Sequence, residues 1–378
     1  MALAGCVLLH WRRHGAWPWP RGALAWTAVA LFAWGAASMV WAPQPLRALG
    51  TAVQLGLFIA LGAAASRAVA ADPASRPAVL RAAGLGLLAG IVVAGADFAT
   101  GNALRAAVRG LSEIPARLAF GLKPAASAMA LLLPLLAVLP NTPAWLRGLL
   151  LAGCAAVLAA LPGESAKLAV LAAALAGGAA WLAPRLAPRL LGGGLAVLIL
   201  ATPLLLGPVL ARGVPAGGMA PSAAHRLLIW DFVIDRIAER PLLGWGMEAS
   251  RAIPGNTATP SPAVLERFGL TGPAVAWLPS AQLLPLHPHN GALQLWLELG
   301  LPGAMLGAAL ALLLGRAAAR SARPAVASAM LAAGAATAML SFGAWQEWWI
   351  GAELLALAAA GGLAPSSAEM SDTHRPPL

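Results

Sequence analysis

The chain has 378 residues, of which 60% are hydrophobic and only 10% are charged. A mean hydropathy of +0.77 excludes an ordinary soluble globular protein and predicts a polytopic membrane protein. A net charge of +11 is also found in nucleic-acid-binding proteins, but here the arginines are scattered between apolar segments, as topology determinants are. No basic helix or aromatic-interleaved patch indicates groove binding, so we expect no nucleic-acid partner.

Apolar segments divide the chain into ten predicted transmembrane helices, because a helix needs about 20 apolar residues to cross a bilayer. They span residues 22–42, 46–66, 78–98, 118–140, 144–162, 166–183, 189–210, 291–315, 324–344 and 346–364. We interpret residues 1–10 as the remnant of a lost helix and not as a cleaved signal peptide. The predicted fold is an all-α transmembrane bundle with helices over 1–210, a large loop over 211–290, helices over 291–364 and a tail over 365–378.

Arginines in the short loops orient these helices, because basic loops stay on the cytoplasmic side. Five clusters agree on one topology with both termini cytoplasmic: Arg12/Arg13/Arg21, Arg67/Arg76/Arg81, Arg147, Arg185/Arg189 and Arg316/Arg320/Arg323. The loop 211–290 is then predicted to lie in the periplasm of a Gram-negative cell, and the protein in the inner membrane. Residues 99–117 fall on the outer face although they contain Arg105, Arg109 and Arg117, which indicates either an anionic partner or a miscounted helix.

The large loop contains a predicted amphipathic helix over residues 222–240, with Ser222 as its N-cap and Pro241 at its end. Acidic residues line one face of this helix, and Arg226 lies in the middle of the opposite, apolar face, four residues before Trp230. Two interpretations are open for Arg226. It snorkels towards lipid headgroups, or its planar guanidinium binds a phosphate.

The most unusual chemistry lies in residues 285–303, where the loop re-enters an apolar segment. His287 and His289 flank a proline, and Asn290, Gln294 and Glu298 recur every four residues, on one face of a helix. This polar stripe indicates either a helix cap with interhelical hydrogen bonds or a wet cavity within the bundle. A zinc site at His287 and His289 would need a third ligand, and only Glu298 is near in sequence, so we expect no metal.

The order His289-Asn290, nine residues, Gly300, two residues, Gly303 resembles the signature of the bacterial O-antigen ligase family, which includes O-antigen polymerases. The preceding loop is similar to the family's outer-loop pattern, with Arg226, Trp230 and then Pro-Leu-X-Gly-X-Gly ending in Gly244 and Gly246. Residues 163–167, GESAK, take the place of a Ser-Arg-Gly-type motif, with Lys167 in place of arginine. The resemblance extends over about residues 118–364, and the family's usual twelve spans imply that a hairpin is missing here.

The resemblance implies a metal-independent glycosyltransferase without a cofactor. It implies transfer of a glycan from undecaprenyl diphosphate to a sugar hydroxyl of lipid A-core at the periplasmic membrane face. The hydroxyl needs a base within hydrogen-bond reach, and His289 is our candidate for that catalytic role. Arg226 and Lys167 are the candidates for binding the diphosphate, whose charge grows as the C1–O bond breaks.

Two other functions remain open at this stage. A polymerase of the same superfamily would share the donor chemistry and use a lipid-linked repeat unit as acceptor. A multi-pass transporter would be expected to have charges in mid-membrane and broken helices in corresponding halves, and we see no internal repeat of that kind. Clustering of the polar groups on one outer face favours chemistry at the membrane surface.

Overall fold

A computed structural model of the chain describes residues 1–273 and 276–365, and within these ranges all regular secondary structure is helical. The α-helices are α1 (Ala2–His14), α2 (Ala23–Ala37), α3 (Pro45–Ala71), α4 (Arg76–Ala99), α5 (Ala103–Val108), α6 (Leu122–Leu132), α7 (Ala144–Ala160), α8 (Glu164–Leu182), α9 (Ala187–Arg212), α10 (Pro221–Glu239), α11 (Pro262–Arg267), α12 (Gly291–Ala319), α13 (Pro324–Leu340) and α14 (Glu347–Ala360). The predicted all-α fold is confirmed.

Each of the ten predicted spans coincides with a helical stretch. Among the described residues, seven stretches are long and apolar enough to cross a membrane: Ala23–Val40, Pro45–Ala71, Arg76–Ala99, Ala116–Val138, Glu164–Leu182, Ala187–Arg212 and Gly291–Ala319. Helices α7 and α13 are apolar but shorter. The polytopic helical bundle is thus confirmed, while the domain boundaries stay predictions. Of the predicted tail, residues 366–378 lie outside the described part of the chain.

The loops meet at two opposite ends of the bundle, as helices that cross it alternately up and down require. Contacts at one end are Arg13 to Asp72 at 2.8 Å and Ser321 to the Leu363 carbonyl at 3.0 Å. Contacts at the other end are Ser165 to Ser341 at 3.1 Å, and the Met247 amide to Ser38 at 2.9 Å. The second set joins the loops that arginine counting places on one face.

Helix α12 is broken at Gly300, where the backbone takes φ 62° and ψ −158°. Pro302 follows and has no N–H to return to the helix. The carbonyls of Leu297, Glu298 and Leu299 therefore lose the partners that a continuous helix would supply. At membrane depth no water replaces such partners, so other protein groups must do so.

The large loop between α9 and α12 supplies the missing donors through residues 241–246, which we call the strap. The Trp245 amide donates to Leu297 O at 2.8 Å and the Gly246 amide donates to Glu298 O at 2.7 Å. The indole of Trp34 in α2 donates to Leu299 O at 2.8 Å. The strap, which contains Gly244 and Gly246, thus has a structural role in satisfying the break in α12.

Close packing explains why the strap and the break use glycine. A Cβ on Gly244 would lie 2.5 Å from the Glu298 carbonyl oxygen, and one on Gly300 would lie 2.4 Å from the Leu242 carbonyl oxygen. Gly303 belongs to the same bend, because a Cβ there would lie 2.1 Å from the Leu299 Cβ. Both Gly244 and Gly300 also have positive φ, where a side chain is strained.

The start of α10 differs from the prediction. The helix begins at Pro221, with Ala220 as its N-cap, and no side chain caps it. The prediction of Ser222 as the N-cap is therefore wrong. Proline suits the first helical position because its φ is already helical and its missing N–H would have no partner there.

We expect Gly300→Ala to destabilise the fold by at least about 2 kcal/mol, since it combines an unfavourable φ with a backbone clash. Thermal unfolding in detergent would measure this as a lower transition temperature. Gly194→Ala in α9 is the matched control, because a Cβ there meets nothing within 4 Å. Equal transition temperatures for the two variants would contradict the strap's role.

Candidate functional site

The two histidines form one tight turn at the entrance to α12. His289 has a left-handed backbone with φ 54°, which is uncommon for a residue with a side chain. Its amide donates to Nδ1 of His287 at 3.2 Å, and the ring centroids are 4.2 Å apart. The side chain of His287 thus holds the backbone of His289.

A backbone carbonyl determines which nitrogen of His289 is basic. Nδ1 of His289 lies 2.5 Å from the carbonyl oxygen of Ser341, and a carbonyl can only accept a hydrogen bond. Nδ1 therefore carries the proton in the neutral ring, and Nε2 keeps its lone pair. Within the described residues Nε2 of His289 makes no hydrogen bond, so it is free to accept a proton from a substrate.

Both rings are kept neutral by their surroundings. Burial lowers the pKa of His287 to about 3, with further lowering by the charges of His289, Arg251 and Arg226. Burial also lowers the pKa of His289, and the charge of Arg226 lowers this pKa further. The hydrogen bond to the Ser341 carbonyl acts in the opposite direction and raises it. At neutral pH the site therefore presents an uncharged imidazole base beside a positive charge.

Trp230 and Asn290 fix the two ends of the histidine turn. The Trp230 indole donates to the carbonyl of Pro288 at 2.8 Å, which ties the turn to α10. The Asn290 side chain accepts from the Leu293 amide at 3.0 Å and caps α12. Of the two readings of the polar stripe, capping is the one that describes Asn290.

Further along the stripe, Glu298 is fully buried within protein contacts. Its carboxylate accepts from the Glu248 amide at 2.6 Å, the Trp345 indole at 2.6 Å and the side chain of Ser250. Gln294 donates to the same carboxylate at 3.2 Å. The stripe is thus a network of interior hydrogen bonds, and Glu298 lies apart from the histidines.

Sequence reasoning missed the segment 341–346, which joins α13 to α14 and forms one wall of the site. Besides the Ser341 carbonyl, it brings Gly343 so close that a Cβ there would lie 2.9 Å from the His287 ring. The Ala344 amide donates to the Gln294 side chain at 2.8 Å. The segment follows its histidines by about 50 residues and contains no motif, so only tertiary structure reveals it.

Arg226 is half-buried in α10 and close enough to lower the pKa of both histidines. Its own pKa is lowered by desolvation. Within the described residues Arg226 has no ion pair or hydrogen bond, whereas Arg236 in the same helix pairs with Glu239 at 2.7 Å. A desolvated, uncompensated guanidinium beside a base fits an anionic substrate better than a membrane anchor.

The other cations singled out from the sequence, Lys167 and Arg105, form ion pairs within the protein. Lys167 pairs with Glu164 at 2.9 Å, and Ser165 of the same motif bonds Ser341, which connects this motif to the wall of the site. Arg105 is fastened to Asp97 at 2.5 Å. The suggestion that residues 99–117 offer Arg105 to an anionic partner is therefore disfavoured, because its charge already has a structural use.

The arrangement of the His, Cys, Asp and Glu side chains in the described residues does not favour a metal site. In residues 1–273 and 276–365 no three His, Cys, Asp or Glu side chains are grouped so as to hold a metal ion. Nδ1 of His287 and Nδ1 of His289 already make protein contacts. The absence of a metal from the reaction stays a prediction.

The fold and the site together define a polytopic membrane protein with an imidazole–guanidinium site at one end of its helices. Residues 148–308 match the family model described as O-antigen ligase. The resemblance to that family is confirmed over this stretch, which contains every predicted site residue. It covers less than half of the chain, so the likeness outside it stays a prediction.

Relatives in the genus Rickettsia support the same family. A protein of Rickettsia conorii named "putative polysaccharide ligase" is 39% identical over 119 residues, which are 30% of this chain and 26% of that protein. A similarly named protein of Rickettsia prowazekii is 35% identical over 170 residues, 41% of this chain and 38% of its own length. The chain thus matches well under half of these relatives. No solved structure matches it.

The tie between Trp230 and the histidine turn has a matched counterpart, since Trp296 donates to the Ile199 carbonyl at 2.9 Å. We expect Trp230→Phe and Trp296→Phe each to cost about 1 kcal/mol of stability, because each loses one hydrogen bond. Only Trp230→Phe should shift the imidazole NMR signals of His287 and His289. If both variants leave those signals in place, Trp230 does not hold the turn.

Proposed function

We propose that this protein is a membrane glycosyltransferase of the O-antigen ligase type. It moves a glycan from undecaprenyl diphosphate to a sugar hydroxyl of lipid A-core at the periplasmic face of the inner membrane. The observation that carries the proposal is that two groups occur near each other. Nε2 of His289 is unprotonated and makes no hydrogen bond within the described residues, and the charge of Arg226, which acts on His289, has no counter-charge there. The family match over residues 148–308 supports the ligase class.

The proposed reaction is a displacement at the anomeric carbon of the donor. Nε2 of His289 takes the proton of the acceptor hydroxyl as its oxygen attacks C1. The bond between C1 and the phosphate oxygen breaks, and its electron pair leaves with undecaprenyl diphosphate. His289 becomes an imidazolium, whose Nδ1–H remains bonded to the Ser341 carbonyl. The reaction balances without any other reactant.

The leaving diphosphate gains negative charge in the transition state, so a fixed cation lowers the barrier. Arg226 is the first candidate, because its fork can make two charge-assisted bonds to phosphate oxygens. Lys167 is the second candidate. Its partner Glu164 has a side chain that is 78% exposed, and an ion pair at such a surface is weak enough to yield to a phosphate.

The donor's lipid tail needs an apolar place beside the site. A groove of about 450 Å³ lies between α8, α9 and α13, and alanine, leucine and methionine side chains line it. One lining residue, Met339, precedes Ser341 by two positions. A tail in this groove would leave its diphosphate at the end of the bundle that carries Arg226 and His289.

A polymerase of the same superfamily is the second candidate function, since it would share the donor, the base and the cation. The two differ in the acceptor, and the acceptor would meet the large outer loop. A transporter is disfavoured, because Gln294 and Glu298, the polar groups within α12, are bound by other groups of the protein.

We expect His289→Gln to abolish transfer when the protein is expressed in a Gram-negative strain that lacks its own ligase. Lipopolysaccharide on a gel would show polymer attached to lipid A-core with the wild type only. His225→Gln is the matched control, because that half-buried histidine bonds the Gln282 carbonyl at 2.9 Å and should be dispensable. Full transfer by His289→Gln would remove the base from the proposal.

The same strain separates the two candidate enzymes. Wild-type protein that leaves lipid A-core unmodified but lengthens the lipid-linked chains is a polymerase. If neither pool changes although the protein is inserted, the proposed function is wrong.

We expect the acidic fall of kcat/KM to have its midpoint below about 6.5, the ordinary pKa of histidine, because burial favours the neutral ring of His289. Activity is present above that midpoint and is lost as His289 gains a proton. Arg226→Gln should reduce kcat/KM by about 100-fold or more. It should also move the midpoint to higher pH, since it removes a charge that lowers the pKa of His289.

Arg236→Gln is the control for charge in the same helix, and it should leave both the rate and the midpoint unchanged. If Arg226→Gln has the rate and pH profile of the wild type, Arg226 is a membrane anchor.

A further inference from the structure

The side chain of Gln346 is arranged in a way that its own hydrogen bonds do not explain. Its amide nitrogen lies 3.4 Å from Nε2 of His287. Its carbonyl oxygen Oε1 is buried and has no partner within the described residues. A buried amide oxygen without a donor is costly. The segment 341–346 therefore holds one unsatisfied acceptor directly beside the histidine turn.

The protonation of His287 follows from its other nitrogen. Nδ1 of His287 accepts the amide hydrogen of His289, so Nδ1 must carry a lone pair. A neutral imidazole has one proton, which then resides on Nε2. With the amide nitrogen opposite Nε2, two donors would face each other. Rotating the terminal amide by 180° places Oε1 of Gln346 opposite Nε2–H of His287, so that each of these two groups gains a hydrogen-bond partner.

We propose that Gln346 is a positioning residue whose Oε1 accepts from the Nε2–H of His287 and so holds His287 in the tautomer that fixes the backbone of His289. The relay runs from the Gln346 amide through the His287 ring to the His289 amide. It ends at the residue whose Nε2 is the proposed base. The relevance to catalysis rests on the proposed function, whereas the hydrogen bond does not.

The surroundings of His287 leave the ring little alternative. His287 is 4% exposed, and Gly343 lies against its ring on the side of α13 and α14. The charged and titratable groups that act on it are His289 in its own turn, Arg251 from the outer loop and Arg226 from α10. All three disfavour a second proton on His287, as burial does. The ring is a neutral bridge.

This bridge explains how His289 keeps its left-handed backbone. For a residue with a side chain such a conformation is unfavourable, because Cβ comes too close to the following carbonyl oxygen. The bond from the His289 amide to Nδ1 offsets that cost only while Nδ1 is unprotonated. Protonation of His287 would turn Nδ1 into a donor facing another donor, and the turn would lose its support.

The decisive variant is Gln346→Glu, which preserves shape and replaces the amide with a carboxylate. A carboxylate at Nε2 favours the imidazolium form of His287, so its pKa should rise towards neutrality. We expect near-normal transfer at pH 8.5 and a loss of at least 10-fold at pH 6.0, relative to the wild type at each pH. Gln282→Glu adds the same charge at an exposed position of the outer loop and should keep the wild-type profile.

A second measurement does not depend on activity. Nitrogen-15 NMR of histidine-labelled protein in detergent should show His287 of the wild type as the neutral Nε2–H tautomer from pH 6 to 8. In Gln346→Glu the same signal should become imidazolium as the pH falls. In Gln346→Met, which keeps the volume without an acceptor, His287 should lose its single tautomer.

The outcomes separate the two proposals. A wild-type pH profile for Gln346→Glu together with unchanged His287 signals in both Gln346 variants would overturn the role of Gln346. If His289→Gln retains transfer while the His287 signals respond to Gln346 as expected, the hydrogen-bond relay stands and the proposed function fails.

Discussion

The interruption of α12 at Gly300 is the constraint on which the rest of the site depends. Three consecutive carbonyls, Leu297 to Leu299, are exposed by the break and cannot be left without donors at membrane depth. The strap and Trp34 supply those donors. The large loop between α9 and α12 is therefore a structural part of the bundle, and its course is fixed where it crosses α12. From that crossing the loop continues to the site.

Glu298 extends this constraint to the histidines. Its carboxylate binds residues 248–250 of the large loop on one side and Trp345 on the other. Gln294 adds a contact to the amide of Ala344. Segment 341–346 is thus held by α12 before it meets His287 and His289. We expect a mutation at Glu298 to act on the histidine turn through segment 341–346.

The helices and the histidine motif could be predicted from the sequence, because apolar length and side-chain spacing are local properties. The sequence also exposed Arg226 as a charge on the wrong face of its helix. The contact between Gly244 and Gly300 could not be predicted. The two residues are 56 positions apart, and a close approach of their backbones leaves no periodic pattern in the sequence. Sequence reasoning missed segment 341–346 for the same reason, and it misjudged Ser222 because proline at the first helical position competed with a serine cap.

Among Arg226, His289 and the polar stripe of α12, polarity alone does not separate structural residues from candidate site residues, whereas the hydrogen bonding of their side chains does. Asn290, Gln294 and Glu298 are the polar residues that the spacing emphasises, and each has protein partners for its side chain. Arg226 and Nε2 of His289 have none within the described residues. Burying a charge without a partner is unfavourable in the empty protein. In the proposed function the diphosphate removes this cost when it binds, so the uncompensated Arg226 of the unliganded fold favours an anionic ligand.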